Sequence, residues 1–223
     1  MKKTLLLIPC ILGLSYSAFA GACITDTLAD YITDGSCTIG TDLTFSGFNY
    51  VASGSVHIPA SDVEVTPITV GGEIGFLFNA PWFALPGAEL DSSITYTATC
   101  DTGNCLNDWE LDIGGVSLPP TDAFISVGET APQVPGELSV GAFSGSTTLS
   151  DAAMFPPVNS ISVSKDLIVY GGSTTAGGII AHVSSLTNLF STSTTSMVPE
   201  PSSLILCVGL LAFIPIARRK FVR

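Results

Sequence analysis

"SSITYTATCDTGNCLNDWELDIGG", residues 92–115, is the stretch that decides the fold class. In its first third Ile94, Tyr96 and Ala98 take one side of an extended chain. In its last third Trp109, Leu111 and Ile113 take one side, and Glu110 and Asp112 the other. Successive side chains of a strand point to opposite faces, so this period of two marks strands with one buried face. Between them, Cys100 and Cys105 bracket the turn-forming residues Asp-Thr-Gly-Asn. A disulfide there would clamp a tight turn between two strands.

The same period extends in both directions. "LTFSGFNYVAS", "SVHIPA", "DVEVTPITV" and "GEIGFLFN" precede the stretch; "AFISVGE", "ELSVGAFSG", "SISVSKDLIVYGG" and "GIIAHVSSL" follow it. Pro59 and Pro67 push their strands to an edge or a bulge, because proline cannot donate to a ladder. "GEIGFLFN" is more continuously apolar and predicts a strand covered on both sides. One early segment, "TDTLADYIT", has helical spacing at Leu28, Tyr31 and Ile32, with Thr25 or Asp26 as N-cap and Gly35 as its end. Short runs separated by Gly, Pro, Asn and Asp predict an all-β fold. The form expected is a β-sandwich, with a jelly-roll arrangement as one version and a closed barrel as the next choice.

The two ends of the chain read differently from its middle. "MKKTLLLIPCILGLSYSAFAGAC" has the three parts of a secretory signal: Lys2 and Lys3, an apolar run, and the small-x-small site Ala18-Phe19-Ala20. Cleavage by signal peptidase is expected after residue 20. At the other end, Leu204–Ala217 is apolar and Arg218, Arg219, Lys220 and Arg223 follow it. Fourteen residues of helix, with the two preceding serines, reach about 24 Å, against a hydrocarbon core of roughly 30 Å. That predicts a short transmembrane helix, with its basic end in the cytoplasm and the folded part outside. The expected division is therefore a signal peptide over 1–20, a sandwich ectodomain over 21–185, a Ser/Thr-rich stalk over 186–197 and a C-terminal signal over 198–223.

Charge follows this division. The chain has 7 basic and 19 acidic residues. Residues 21–197 hold one of the former, Lys165, and eighteen of the latter, a net charge of −17. Such a surface repels phosphate backbones and excludes nucleic acid as a partner. Of six cysteines, Cys10 and Cys207 fall in the terminal segments, leaving Cys23, Cys37, Cys100 and Cys105. Three pairings are conceivable for four cysteines. Proximity in sequence favours Cys23–Cys37 and Cys100–Cys105, in keeping with an oxidising compartment. The first would close a loop worth roughly 3 kcal/mol in the chain-entropy picture.

The C-terminal parts combine into a pattern. Val198-Pro199-Glu200-Pro201, a short apolar span and the cluster Arg218, Arg219, Lys220 resemble the PEP-CTERM sorting signal. The resemblance covers about a tenth of the chain and lies at its C-terminus. It implies a Gram-negative host that makes extracellular polysaccharide, and an exosortase that recognises the tail and cleaves near Pro199-Glu200-Pro201. It also implies a transient stay in the inner membrane and delivery to the cell surface or matrix. Prolines on both sides of the glutamate keep that segment extended, a form an enzyme can grip. The opening "TLADYITDGSCTIGTDLTFSGFNY" is similar to the start of other ectodomains that carry such tails, and brings no activity with it.

No catalytic constellation stands out. His57 and His182 each sit in a strand pattern, without a nucleophile elbow. The carboxylates of "DTGNCLNDWELD" bring Asp101, Asp108 and Glu110 together in sequence as oxygen ligands for calcium, though not at EF-hand spacing. Trp82 and Trp109 could stack on sugar rings if exposed; aromatic residues of a β-protein more often fill the core. The reading is a non-enzymatic surface or matrix protein with a structural or adhesive role and polysaccharide as a partner. The alternatives are a polysaccharide hydrolase with paired carboxylates, or a carbohydrate- or calcium-binding module.

Overall fold

The structure, a computed structural model, describes residues 20–41, 43–101, 103–119, 122–173 and 180–193. Its strands are β1 Gly21–Ala22, β2 Asp26–Thr27, β3 Ser36–Ile39, β4 Leu43–Gly54, β5 Glu64–Val70, β6 Glu73–Ala84, β7 Glu89–Cys100, β8 Leu106–Gly114, β9 Phe124–Thr130, β10 Glu137–Phe143, β11 Ser146–Thr148, β12 Ser150–Val158, β13 Ser160–Tyr170 and β14 Ala181–Phe190. One helix, α1 Leu28–Asp34, and a short 3₁₀ turn at Ala60–Asp62 complete the described elements. The strands form an eight-stranded sheet, ordered β1-β3-β4-β7-β13-β9-β10-β11, and a six-stranded sheet, ordered β12-β8-β14-β6-β5-β2. Their apolar faces meet in one core, which is the sandwich that the period of two predicts.

The pattern that opened the sequence behaves as read, with one correction. β7 buries Leu90, Ile94, Tyr96 and Ala98, and β8 buries Trp109, Leu111 and Ile113. The two strands do not pair: β7 lies in the eight-stranded sheet and β8 in the six-stranded one. The clamped turn thus carries the chain from one sheet to the other. The β12–β13 corner makes a second crossing beside it. There Asn159 Nδ2 donates to Gly103 O at 3.0 Å, and Cys100 N donates to Asn159 O at 2.8 Å. Both favoured disulfides are formed, Cys23–Cys37 with a Cα separation of 4.9 Å and Cys100–Cys105 with 5.9 Å.

The N-cap lies one residue after Asp26 and two after Thr25. Thr27 is the N-cap, its Oγ1 accepting from Asp30 N at 3.2 Å, and Gly35 closes the helix at φ 78°. Seven residues form barely two turns, so Leu28 and Tyr31 reach the core while Ile32 stays exposed. Pro67 lies on β5, which has only the two-residue β2 on its far side, the edge setting its missing N–H requires. β6 alternates rather than being covered on both sides: Phe76, Phe78 and Trp82 are buried, whereas Leu77 and Phe83 on the outward side are half-exposed.

The stalk expectation needs correction over its first residues. Leu186–Phe190 is the second half of β14, an interior strand hydrogen-bonded to β6 and β8. Leu186 and Phe190 point into the core, and that apolar content overrides the Ser/Thr-rich composition around it. Ser193 N still donates to Cys105 O at 2.7 Å, so the described chain is held to its last residue. No helix among the described residues is long and apolar enough to cross a membrane, and the expected transmembrane helix lies outside them.

The core is aromatic at its centre. Phe45, Phe76, Phe78, Tyr96 and Phe190 pack with ring centroids between 4.6 and 6.4 Å apart, mostly tilted or edge-to-face. Within this apolar volume sits a polar group. Lys165 of β13 pairs with Glu129, its direct partner on β9, and both are fully buried. Asn188, from β14 of the opposite sheet, donates to Glu129 Oε1 at 2.9 Å and to the Glu110 backbone carbonyl at 2.7 Å. Tyr96 OH donates to Asn188 Oδ1.

Candidate functional site

The residues singled out in the sequence do not converge. Trp82 and Trp109 are fully buried and serve the core, so neither can stack on a ligand. His57 is exposed in the segment between β4 and β5, and the backbone of His182 pairs with Ser117. Asp101 accepts from Thr44 Oγ1 at 2.8 Å beside the sheet crossing. Asp108 Oδ1 accepts from Ser191 N at 2.6 Å. Glu110 stands on the outward side of β8, with Ser150 Oγ at 3.5 Å. Among the described residues no group of three or more His, Cys, Asp or Glu gathers as metal ligands, so the calcium trio of Asp101, Asp108 and Glu110 is not assembled. Ala18, Pro199, Glu200, Pro201, Arg218, Arg219 and Lys220 lie outside the described residues, and Ala20 is the first residue within them.

The surface has one sign. Lys165 is the lone Lys or Arg of residues 21–197, and it is buried against Glu129. No lysine or arginine among the described residues therefore reaches solvent. Carboxylates crowd in places as a result. Partial burial first, then the charges of Asp112 and Glu73, push the Glu110 carboxyl above its usual range. Asp166 is also raised, by burial and then by the nearby Asp91. Asp122 goes the other way: the backbone N–H of Ser173 donates to it at 2.7 Å and favours the carboxylate.

On this anionic background three aromatic rings come together, Phe143 exposed and Phe124 and Tyr170 half-buried. Tyr170 of β13 is the direct partner of Phe124 on β9, and Phe143 stands beside Phe124 at the end of β10. All three occupy the outward phase of their strands, since Val169, Ile125 and Ala142 fill the inward one. The Tyr170 and Phe124 centroids are 5.5 Å apart. Phe124 and Phe143 are 6.0 Å apart and nearly parallel, at 18°. The result is a row of three rings across three adjacent strands, on the outer face of the eight-stranded sheet. Phe143, 51% exposed, ends the row and lines a cleft of about 490 Å³ with Val116, Leu118, Pro119 and Leu149.

The backbone under the row is shaped for it. Gly141 occupies the outward position two residues before Phe143; a Cβ there would lie 3.3 Å from Phe143 Cε2 and 2.5 Å from Ile125 O. Away from the row the same face is hydroxylated. Thr97 and Thr99 of β7 face Ser162 and Ser160 of β13 at 3.2 Å each. An aromatic row on an otherwise polar sheet face can hold a flat ligand with one apolar face.

Sequence reading passed over these three aromatics. The signal was present: in "FISV", "VGAF" and "LIVY" the ring lies out of phase with the buried Ile125, Val127, Val140, Ala142, Leu167 and Val169. An aromatic in the solvent phase of an otherwise well-ordered strand is the informative exception. Their alignment into a row depends on register between strands that are not sequential neighbours, which no local pattern contains.

No family model matches this sequence, and no curated protein matches it. Among solved structures it is similar to TmCBM61, determined in complex with β-1,4-galactotriose, at 9% identity, 62% coverage of this chain, 86% of that chain and a TM-score of 0.27. It is also similar to CBM86, a low-affinity xylan-binding module from the gut symbiont Roseburia intestinalis, at 9% identity, 65% and 96% coverage and a TM-score of 0.21. At this identity and at these TM-scores the likeness carries no argument about fold or function.

Proposed function

We propose that this chain is an exported, non-catalytic sandwich that binds neutral polysaccharide at the cell surface or in the extracellular matrix. In this reading an exosortase-type enzyme delivers it through the C-terminal signal. The observation that carries the binding reading is the row Tyr170–Phe124–Phe143, half-buried at its first two rings and exposed at Phe143. Adjacent strands set the rings at a pitch close to that of successive sugar rings in an extended chain. Phe143, the exposed end of the row, can offer an apolar face to the C–H side of a pyranose, with the partly exposed Phe124 and Tyr170 extending it. A surface free of exposed Lys and Arg disfavours anionic glycans, which narrows the class to neutral ones. The two disulfides support an oxidising compartment, in agreement with export.

Affinity gel electrophoresis against a panel of neutral polysaccharides tests the binding. At least one should retard the protein, and Phe124→Ala/Phe143→Ala should weaken that retardation about tenfold or more, the cost of losing aromatic anchors. Equal retardation of the parent and the row variant would overturn the assignment of the row. The sorting part has its own test in the native host. Mass spectrometry of the extracellular form should find a chain beginning at Gly21 and lacking Leu204–Arg223, and an intact C-terminal peptide would refute it.

A second reading, the paired-carboxylate hydrolase, has one observation in its favour: the raised Glu110 carboxyl beside Glu73 and Asp112. Release of reducing ends from the bound polysaccharide, abolished in Glu110→Gln, would establish it.

A further inference from the structure

The interior polar group is arranged for chemistry that neither export nor polysaccharide binding needs. Lys165, Glu129 and Asn188 have no exposure to solvent. Phe78 and Tyr96 wall the lysine, with their ring centroids 6.0 and 5.8 Å from its Nζ. One oxygen of the Glu129 carboxylate contacts Lys165 Nζ; the other accepts from Asn188 Nδ2 at 2.9 Å. The carbonyl oxygen of the same Asn188 amide accepts the Tyr96 hydroxyl proton. An amine, an amide, a carboxylate touching both nitrogens and a donor on the amide oxygen thus meet in a dry site.

We propose that Lys165 and Asn188 form an intramolecular amide bond, with Glu129 as proton shuttle and Tyr96 holding the carbonyl oxygen. The lysine ammonium passes a proton to Glu129, and the free amine attacks Asn188 Cγ. Negative charge developing on Oδ1 falls on the Tyr96 hydroxyl, as it does on donors aimed at a tetrahedral oxyanion. Glu129 returns its proton to Nδ2, and the Cγ–Nδ2 bond breaks to release ammonia. The surplus proton on Nζ passes to Glu129 and leaves with the ammonia as ammonium. The Nζ–Cγ bond replaces the Cγ–Nδ2 bond, and no oxidant or other co-reactant is required.

The energetics run in the same direction. A buried ion pair carries a desolvation cost that its mutual attraction offsets incompletely. Burial lowers the affinity of Lys165 for its proton and raises that of Glu129, which favours the neutral amine and the neutral acid that the first step needs. The product leaves a neutral amide in the core and ties β13 of one sheet to β14 of the other.

The sequence supplies a sharp test, because Lys165 is the lone Lys or Arg between residues 4 and 217. The purified full chain, denatured and reduced, is treated with a Lys/Arg-specific protease and weighed. An acylated lysine is no longer cleaved, so residues 4–218 should stay in one piece and weigh one ammonia less than their sequence. Cleavage after Lys165 at full mass would overturn the proposal. Loss of one water instead would place the bond on Glu129 and overturn the assignment to Asn188. Glu129→Leu should be cut at full mass; if it too lacks ammonia, Glu129 is not the shuttle.

Discussion

On the inward side of β9 and β13, a lysine and a glutamate sit where apolar side chains are the rule; on the outward side of the same strands, Phe124 and Tyr170 sit where polar ones are. The inner pair is enclosed by core aromatics and receives Asn188 from the opposite sheet. The outer pair lies on the outer face with Phe143, which is 51% exposed. The difference teaches what each departure costs. An interior charge must be matched atom by atom, because low dielectric makes any unpaired group expensive. An exterior ring costs little by itself, and its presence is what the proposed binding reading rests on.

Removing one half of the inner pair should give the largest effect. Lys165→Met removes both the cation that faces Glu129 and the amine of the proposed amide, and should destabilise the domain by about 3–5 kcal/mol in urea unfolding. Lys165→Met/Glu129→Leu should recover a large part of that loss; no recovery would show that the group matters for more than charge balance. Next in size is the staple next to the helix. Cys23→Ser/Cys37→Ser should cost about 3 kcal/mol, and Cys100→Ser/Cys105→Ser, closing a shorter loop, about 2 kcal/mol, each read from the same unfolding curve.

A smaller effect should appear at high pH. Burial, then the charge of Asp26, pushes the Tyr31 hydroxyl up to about 12 from an ordinary 10.0. The folded state therefore keeps this proton where the unfolded chain releases it. Stability from this group is complete below pH 10 and is lost as pH rises toward 12. Tyr31→Phe should reduce the slope of stability against pH in that window. The smallest change in stability belongs to the outer row. Phe143→Ala should cost about 1 kcal/mol or less in unfolding, since one stacked ring contact is lost at the surface. A loss several times larger would show that the row supports the fold, and would weaken the contrast between the two sides.

Much of this was legible before any coordinates. Tyr96, Trp109 and Leu111 announced their buried faces through alternation, and Cys100 and Cys105 announced their pairing through a spacing that admits a turn. The limits were equally specific. Nothing local distinguished a hairpin from a sheet crossing at 101–104, because both need the same turn residues. The Ser/Thr-rich composition around Leu186–Phe190 hid an interior strand, since two inward apolar residues suffice for one. Trp82 and Trp109 fill the core, as burial preference favours, whereas the outward aromatics Phe124, Phe143 and Tyr170 lay unremarked within strands that were recognised.

By itself the sequence determined the class of fold, most of the strand segments, the favoured disulfide pairs and the acidity of residues 21–197. Each of these depends on neighbours a few residues apart. Only the tertiary structure decided which strands share a sheet, that the lone lysine faces inward to Glu129 and Asn188, and that three aromatics from β9, β10 and β13 form one row. A period of two states that a strand has two faces. Which residues meet across those faces is set by register and sheet order, and these are won by the burial of the whole core at once.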